Sequence, residues 1–335
     1  MKNMTETIAE LLNGRIKSGY EKCTGCGVCM LTCPVWNQTR DVMLTVCGRM
    51  RVLQNGGAPE DMLESLTACV LCGACGSVCP AGVDTVALTM ELRMLLTNKT
   101  GRPWAEHRTS DKISAAPVAA AVKLFFPGAA MRQDENILRR AARLLEQGGF
   151  MLFDDTEISG VAADMEAGIR PDPERLTRFI ASMRGVKHII AADGFLYRLL
   201  RQWLPSARVV GLGETLLLRP SVKKAIKPTD LYIIEPRSYH ADYSRLVNFY
   251  DRMRLETGCK LNTSLQRAAI PTGAAGMRNR PGPGRVDAAE QVRWILHKRR
   301  PDRVVAEGME DFLLFKDLSG LETIHITELA PMDKQ

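Results

Sequence analysis

Eight of the ten cysteines fall into two copies of one pattern, Cys-x2-Cys-x2-Cys-x3-Cys-Pro. The first copy is Cys23, Cys26, Cys29 and Cys33 with Pro34; the second is Cys69, Cys72, Cys75 and Cys79 with Pro80. Thiolates are soft ligands suited to iron–sulfur clusters, and this is the spacing of a two-cluster 4Fe–4S ligand run. Three cysteines two residues apart wrap one corner of a cube, while the fourth faces away and reaches the neighbouring cube. The expected ligand sets are therefore Cys23, Cys26, Cys29 and Cys79 for one 4Fe–4S cluster. The other takes Cys69, Cys72, Cys75 and Cys33. Two such clusters side by side transfer electrons singly and require no catalytic side chain.

Zinc favours paired Cys-x2-Cys units, and the extra cysteine and Cys-Pro add nothing to a tetrahedral ion site. Disulfide frameworks suit short secreted chains, whereas this one has 335 residues and opens without an apolar signal segment. Gly25, Gly27, Gly73 and Gly76 are expected to let the ligand loops turn tightly. Pro34 and Pro80 hold the preceding cysteines extended. Cys47 and Cys259 read as small buried apolar residues; Cys47, lying between the two runs, is a candidate for a group near a cluster. His107, His188, His240, His297 and His325 show no paired ligand spacing, and His188 and His325 lie in or beside apolar strands where they are expected to pack.

The elements that must position the cysteines read as helices. Asp41 to Leu53, Pro59 to Leu66 and Val83 to Leu96 carry apolar residues at three- and four-residue steps. A short helix is also expected from Thr5 to Leu12, ending at Asn13-Gly14. Polar residues 98–119, with Gly101, Pro103 and Pro117, read as a linker. Beyond about residue 120, helices alternate with strands at Phe150 to Phe153, Val186 to Ala192, Ala207 to Val210, Leu231 to Ile234, Arg303 to Ala306 and Glu322 to Thr327. That alternation predicts parallel sheets packed by helices, and the second half repeats the first. The expected fold class is α+β multidomain: an all-helical two-cluster ferredoxin-type module over 1–97, then a duplicated α/β domain over 120–335. Its lobes cover about 120–212 and 213–335.

The formal charge of +7 is offset once eight thiolates and two oxidised cubes are counted, leaving about +3. That is no nucleic-acid-binding excess. Arg139, Arg140 and Arg143, then Arg278, Arg280 and Arg285, then His297 to Arg300 read as solvated helix faces, with docking to an acidic redox partner as the alternative. No run of about 18 apolar residues marks a membrane span, and no G-x-G-x-x-G follows a strand. The expected location is cytoplasmic, with any membrane contact made through a partner.

The helical module with two cysteine runs, followed by a duplicated α/β domain, resembles heterodisulfide reductase C and D subunits. It also resembles the iron–sulfur subunits of anaerobic glycerol-3-phosphate dehydrogenase, glycolate oxidase and lactate-utilisation enzymes. In that family each lobe carries His-Asp-Pro-Cys and Cys-Cys-Gly-x-Gly-Gly loops that hold a further iron–sulfur centre. Here Ile234-Glu235-Pro236-Arg237 and Pro271-Thr272-Gly273-Ala274-Ala275-Gly276 stand in those places, with Ala191 to Phe195 and Asp154-Asp155 in the first lobe. The thiolates are gone, so no further cluster is expected there.

The resemblance implies an electron-transfer iron–sulfur subunit of an anaerobic oxidoreductase complex. It would pass single electrons between a flavoprotein partner and a quinone-linked or iron–sulfur acceptor. The alternative is a catalytic subunit binding substrate in the α/β cleft near Arg237, Tyr239, His240 and Thr272; a third is a structural role for the clusters.

Overall fold

The computed structural model describes residues 19–101, 122–264, 267–274, 286–297 and 299–330. The expected Thr5–Leu12 helix, most of the linker and the Gly- and Pro-rich stretch 281–284, expected as an irregular loop, lie outside these residues.

Among the described residues, 19–101 hold only helices, 3-10 turns and loops. The longest helix, Thr85–Thr100, begins where the Asp84 carboxylate accepts the Ala87 N–H at 3.0 Å and stops at Gly101, which takes the left-handed φ of 62°. Residues 98–100, expected in the linker, are its last turn. Val46–Gln54 is capped by Thr45, and Leu63–Ala68 leads directly into Cys69. Val46, Met50, Met62, Leu66, Leu88 and Leu92 form the module's own apolar core.

Two four-stranded parallel sheets follow. The first contains β1 (Lys123–Phe126), β2 (Met151–Leu152), β3 (His188–Ala191) and β4 (Arg208–Gly211), ordered β2-β1-β3-β4. The second contains β5 (Asp230–Ile233), β6 (Lys260–Leu261), β9 (Arg303–Ala306) and β10 (Glu322–His325), ordered β6-β5-β9-β10. Numbered within each lobe, both orders are second, first, third, fourth. The same strand order twice is the structural counterpart of the repeated pattern. A small antiparallel pair, β7 (Thr263–Ser264) with β8 (Ala268–Ala269), is inserted after β6.

Central strands β3 and β5 are buried on both faces, which explains their unbroken apolar runs. The segment Phe150–Phe153, expected as a buried strand, forms only the two-residue β2; Met151 and Leu152 are exposed at the sheet edge. The crossover helices carry acidic caps: Asp134 before Glu135–Glu146, Asp172 before Pro173–Ser182 and Asp287 before Ala288–Leu296.

One apolar core runs through both lobes, joining Phe125 and Ile190 to Tyr232, Val305 and Phe315. A second core joins Leu71, Val86, Met90 and Met94 of the helical module to Phe126, Ile189 and Phe195 of the first lobe. Arg198 closes this junction: its Nη2 donates to the two carboxylate oxygens of Asp84 at 2.6 and 2.7 Å. Gly168 lies so close to the Arg93 backbone that an added Cβ would stand 2.8 Å from its carbonyl carbon and oxygen.

Candidate iron–sulfur centre

In the first cysteine run, Gly25 and Gly27 adopt φ of 73° and 77°, and Gly73 takes 79° in the second. These three bear out the expected tight turns. Gly76 does not: it is helical, and its lack of a side chain lets Thr85 Oγ1 come within 2.9 Å of where a Cβ would stand. Leu71 occupies the position matching Gly25 and takes a left-handed φ of 51°, its side chain buried in the core shared with the first lobe.

The ligand loops are held by side chains from elsewhere in the module. Gln54 Nε2 donates to the Cys23 carbonyl at 2.8 Å and Arg51 donates to the Thr24 carbonyl at 3.0 Å. Behind the second run, buried Arg93 donates to the carbonyls of Leu66 at 2.7 Å and Cys69 at 2.6 Å. Arg237, from the short helix Pro236–Ala241 after β5, donates to the Val70 carbonyl at 3.1 Å.

Cys33, Cys69, Cys72 and Cys75 line one cavity together with Arg49, Val46, Thr85 and Val86. Cys33 thus sits with the second run. Cys79 packs with Cys23, Cys29 and Cys75 against the module core. Cys26 is exposed, and Cys47 is buried. Cys259 is buried among the α/β helices, as expected, with its thiol 3.7 Å from Met253 sulfur.

Burial pushes the Cys29 thiol well up, and the adjacent Cys75, Cys47 and Cys23 push it further. Cys72 is raised by burial and then by Cys75; Cys75 is raised to about 12 by burial and then by Cys69. Crowded thiols of this kind ionise when a cation shares their space.

A 4Fe–4S core with four thiolates carries about −2, and the cavity suits that charge. Arg49 is 2 % exposed, its terminal nitrogens donate to Ser65 O at 2.9 Å, Ser65 Oγ at 2.7 Å and Thr89 Oγ1 at 3.3 Å, and its Nε has no partner. A buried cation with an unpaired donor on a thiol-lined cavity fits an anionic cluster.

A second cavity opens where the strand ends of both sheets meet. Cys72 and Val70 form one wall; Asp193, Glu235, Arg237, Thr272, Glu310 and Asp311 supply its polar groups. Of the four expected cleft residues, Arg237 and Thr272 are there. Tyr239 and His240 are not: Tyr239 Oη donates to the Arg267 carbonyl at 2.8 Å, and the His240 ring bridges Ser77 Oγ at 3.0 Å and the Ala269 carbonyl at 2.9 Å. Asp155 is also elsewhere, accepting the Gly128 N–H at 2.7 Å and pairing with Arg132. Burial raises the Glu310 carboxyl to about 8 against the pull of Arg237, and raises Asp311 and Glu235. Glu235 lies in the stretch 234–237 read from the sequence, whereas Glu310 and Asp311, in the first turn of the helix Met309–Leu318, had no motif signal.

Residues 19–83 match the family model described as a 4Fe-4S dicluster domain. The curated proteins and the solved structures gave no match. The N-terminal region is therefore an iron–sulfur domain of the dicluster type, and the match supports cluster binding and an electron-transfer role. Among the described residues no helix is long and apolar enough to cross a membrane.

Proposed function

We propose that this chain is an electron-transfer subunit holding two 4Fe–4S clusters, one on Cys23, Cys26, Cys29 and Cys79 and one on Cys69, Cys72, Cys75 and Cys33. The observation that carries it is the cavity in which Cys33 joins Cys69, Cys72 and Cys75 rather than its own run. Each bound cluster supplies one-electron redox chemistry. The chain's own residues hold the ligand loops, exclude water and set the charge around them. Exposed Cys26 marks the side open to a partner, whereas the second run faces the α/β cleft. The donor in this reading is a flavoprotein and the acceptor a quinone-linked or further iron–sulfur subunit of an anaerobic oxidoreductase, any membrane contact being made by that partner. A reductive titration of anaerobically purified protein tests it. Uptake of about two electrons per chain is expected; no uptake contradicts it.

A second reading follows from the lobe cleft, where Cys72 shares a cavity with Arg237, Thr272 and buried carboxyls. There the chain itself binds a small substrate at the strand ends, the usual ligand position of open parallel sheets. A small molecule retained on purification and lost in Arg237→Ala would favour it. Turnover unaffected by Arg237→Ala, with no retained ligand, would count against it.

A further inference from the structure

Unlike Arg93, which is as deeply buried, Arg49 lines the cysteine cavity. It is almost fully buried, and among the described residues its donors meet only neutral oxygens of Ser65 and Thr89. Its Nε has no hydrogen-bond partner, yet the side chain lines the cavity of Cys33, Cys69, Cys72 and Cys75. An unpaired guanidinium in such surroundings is costly unless an anion lies beside it. Two further arginines bind the backbone of the second run, one of them, Arg237, in an ion pair with Glu166. Arg93 binds the Leu66 and Cys69 carbonyls, and Arg237 binds that of Val70. Among the described residues, the first run is flanked instead by Arg51, which is exposed and bonded to Thr24 and Gln54, where water screens its charge.

We infer that Arg49 is a redox-positioning residue for the cluster on Cys33, Cys69, Cys72 and Cys75, and makes that cluster the higher-potential member of the pair. Reduction adds a negative charge, and a buried cation with a free N–H stabilises the reduced form. Electrons arriving at the exposed first run then settle beside the α/β domain. The inference rests on the two-cluster reading, which iron and sulfide counts on the same samples test separately.

The experiment is an EPR-monitored potentiometric titration of the full-length holoprotein, of Arg49→Gln and of Arg49→Lys. Two midpoint potentials are expected in the wild type. In Arg49→Gln the higher one should move negative while the lower one stays; Arg49→Lys, which keeps charge but not the fork of donors, should show a smaller move of the same potential. Both potentials unchanged, both shifted together, or only the lower one shifted would overturn the assignment. If Arg49→Gln fails to retain iron, Arg49→Lys decides by the same criterion, and an unshifted higher potential there overturns it.

Discussion

Arg237 donates to the Val70 carbonyl at 3.1 Å, linking the short helix after β5 to the backbone between Cys69 and Cys72. The same guanidinium pairs with Glu166 at 2.8 Å and is held firmly charged by it. One side chain thus joins the second lobe, the first lobe and the second cysteine run.

Arg237→Ala leaves Glu166 and Val70 without their shared partner. Breaking a buried pair from one side costs about 3–5 kcal/mol. A clear fall in the thermal midpoint is expected by calorimetry, and an unchanged midpoint would show the contact to be dispensable.

Gly168→Ala is expected to destabilise by about 2 kcal/mol or more, because the position has a φ of 81° and abuts the Arg93 backbone. Chemical denaturation checks this. Gly185→Ala, also at positive φ but with open space around it, should cost less.

His325 is fully buried, its ring bonded to Thr327 Oγ1 at 2.8 Å and the Glu307 carbonyl at 3.0 Å. Burial depresses its pKa from 6.5 to about 4. The unfolded chain therefore takes up the proton first as pH falls. The contribution is fully present above about pH 6.5 and is lost progressively towards about 4, roughly 3 kcal/mol in all. His325→Gln should flatten the acid limb of a stability profile in that window. A limb as steep as the wild type's would assign the loss to other groups.

Glu307 behaves oppositely. Burial raises it from 4.5 to about 7, although the Tyr250 and Tyr232 hydroxyls donate to it at 2.5 and 2.7 Å. The folded chain keeps the proton longer, so this contribution is present below about pH 4.5 and lost as pH rises through about 7. Glu307→Gln should become more stable relative to wild type across that rise, as followed by urea midpoints at several pH values.

The cysteine chemistry was legible because ligand spacing is local: the run itself specifies the turns, and Gly25, Gly27 and Gly73 take them. The repeated lobes were legible from alternating helices and strands. Strand β1 was missed because Lys123–Phe126 follows a stretch broken by proline, and β6 because two residues carry no period. The arginine contacts behind Cys69 and Val70 were not legible at all, since they join positions 24 and 167 residues apart. Nor were the basic runs all solvated faces. Arg140 donates to the Ala330 carbonyl at 3.0 Å and Arg299 to the Thr263 carbonyl at 3.0 Å, each fastening distant backbone.

The central claim is the interchange of ligands between runs, and iron and acid-labile sulfide counts with EPR on Cys33→Ala test it most directly. The wild type should carry about eight irons per chain and show two interacting reduced centres. Cys33→Ala should perturb the same centre as Cys72→Ala and leave the centre affected by Cys26→Ala intact. A Cys33→Ala sample whose damaged centre is the one lost in Cys26→Ala, or a wild type with about four irons, would contradict the account.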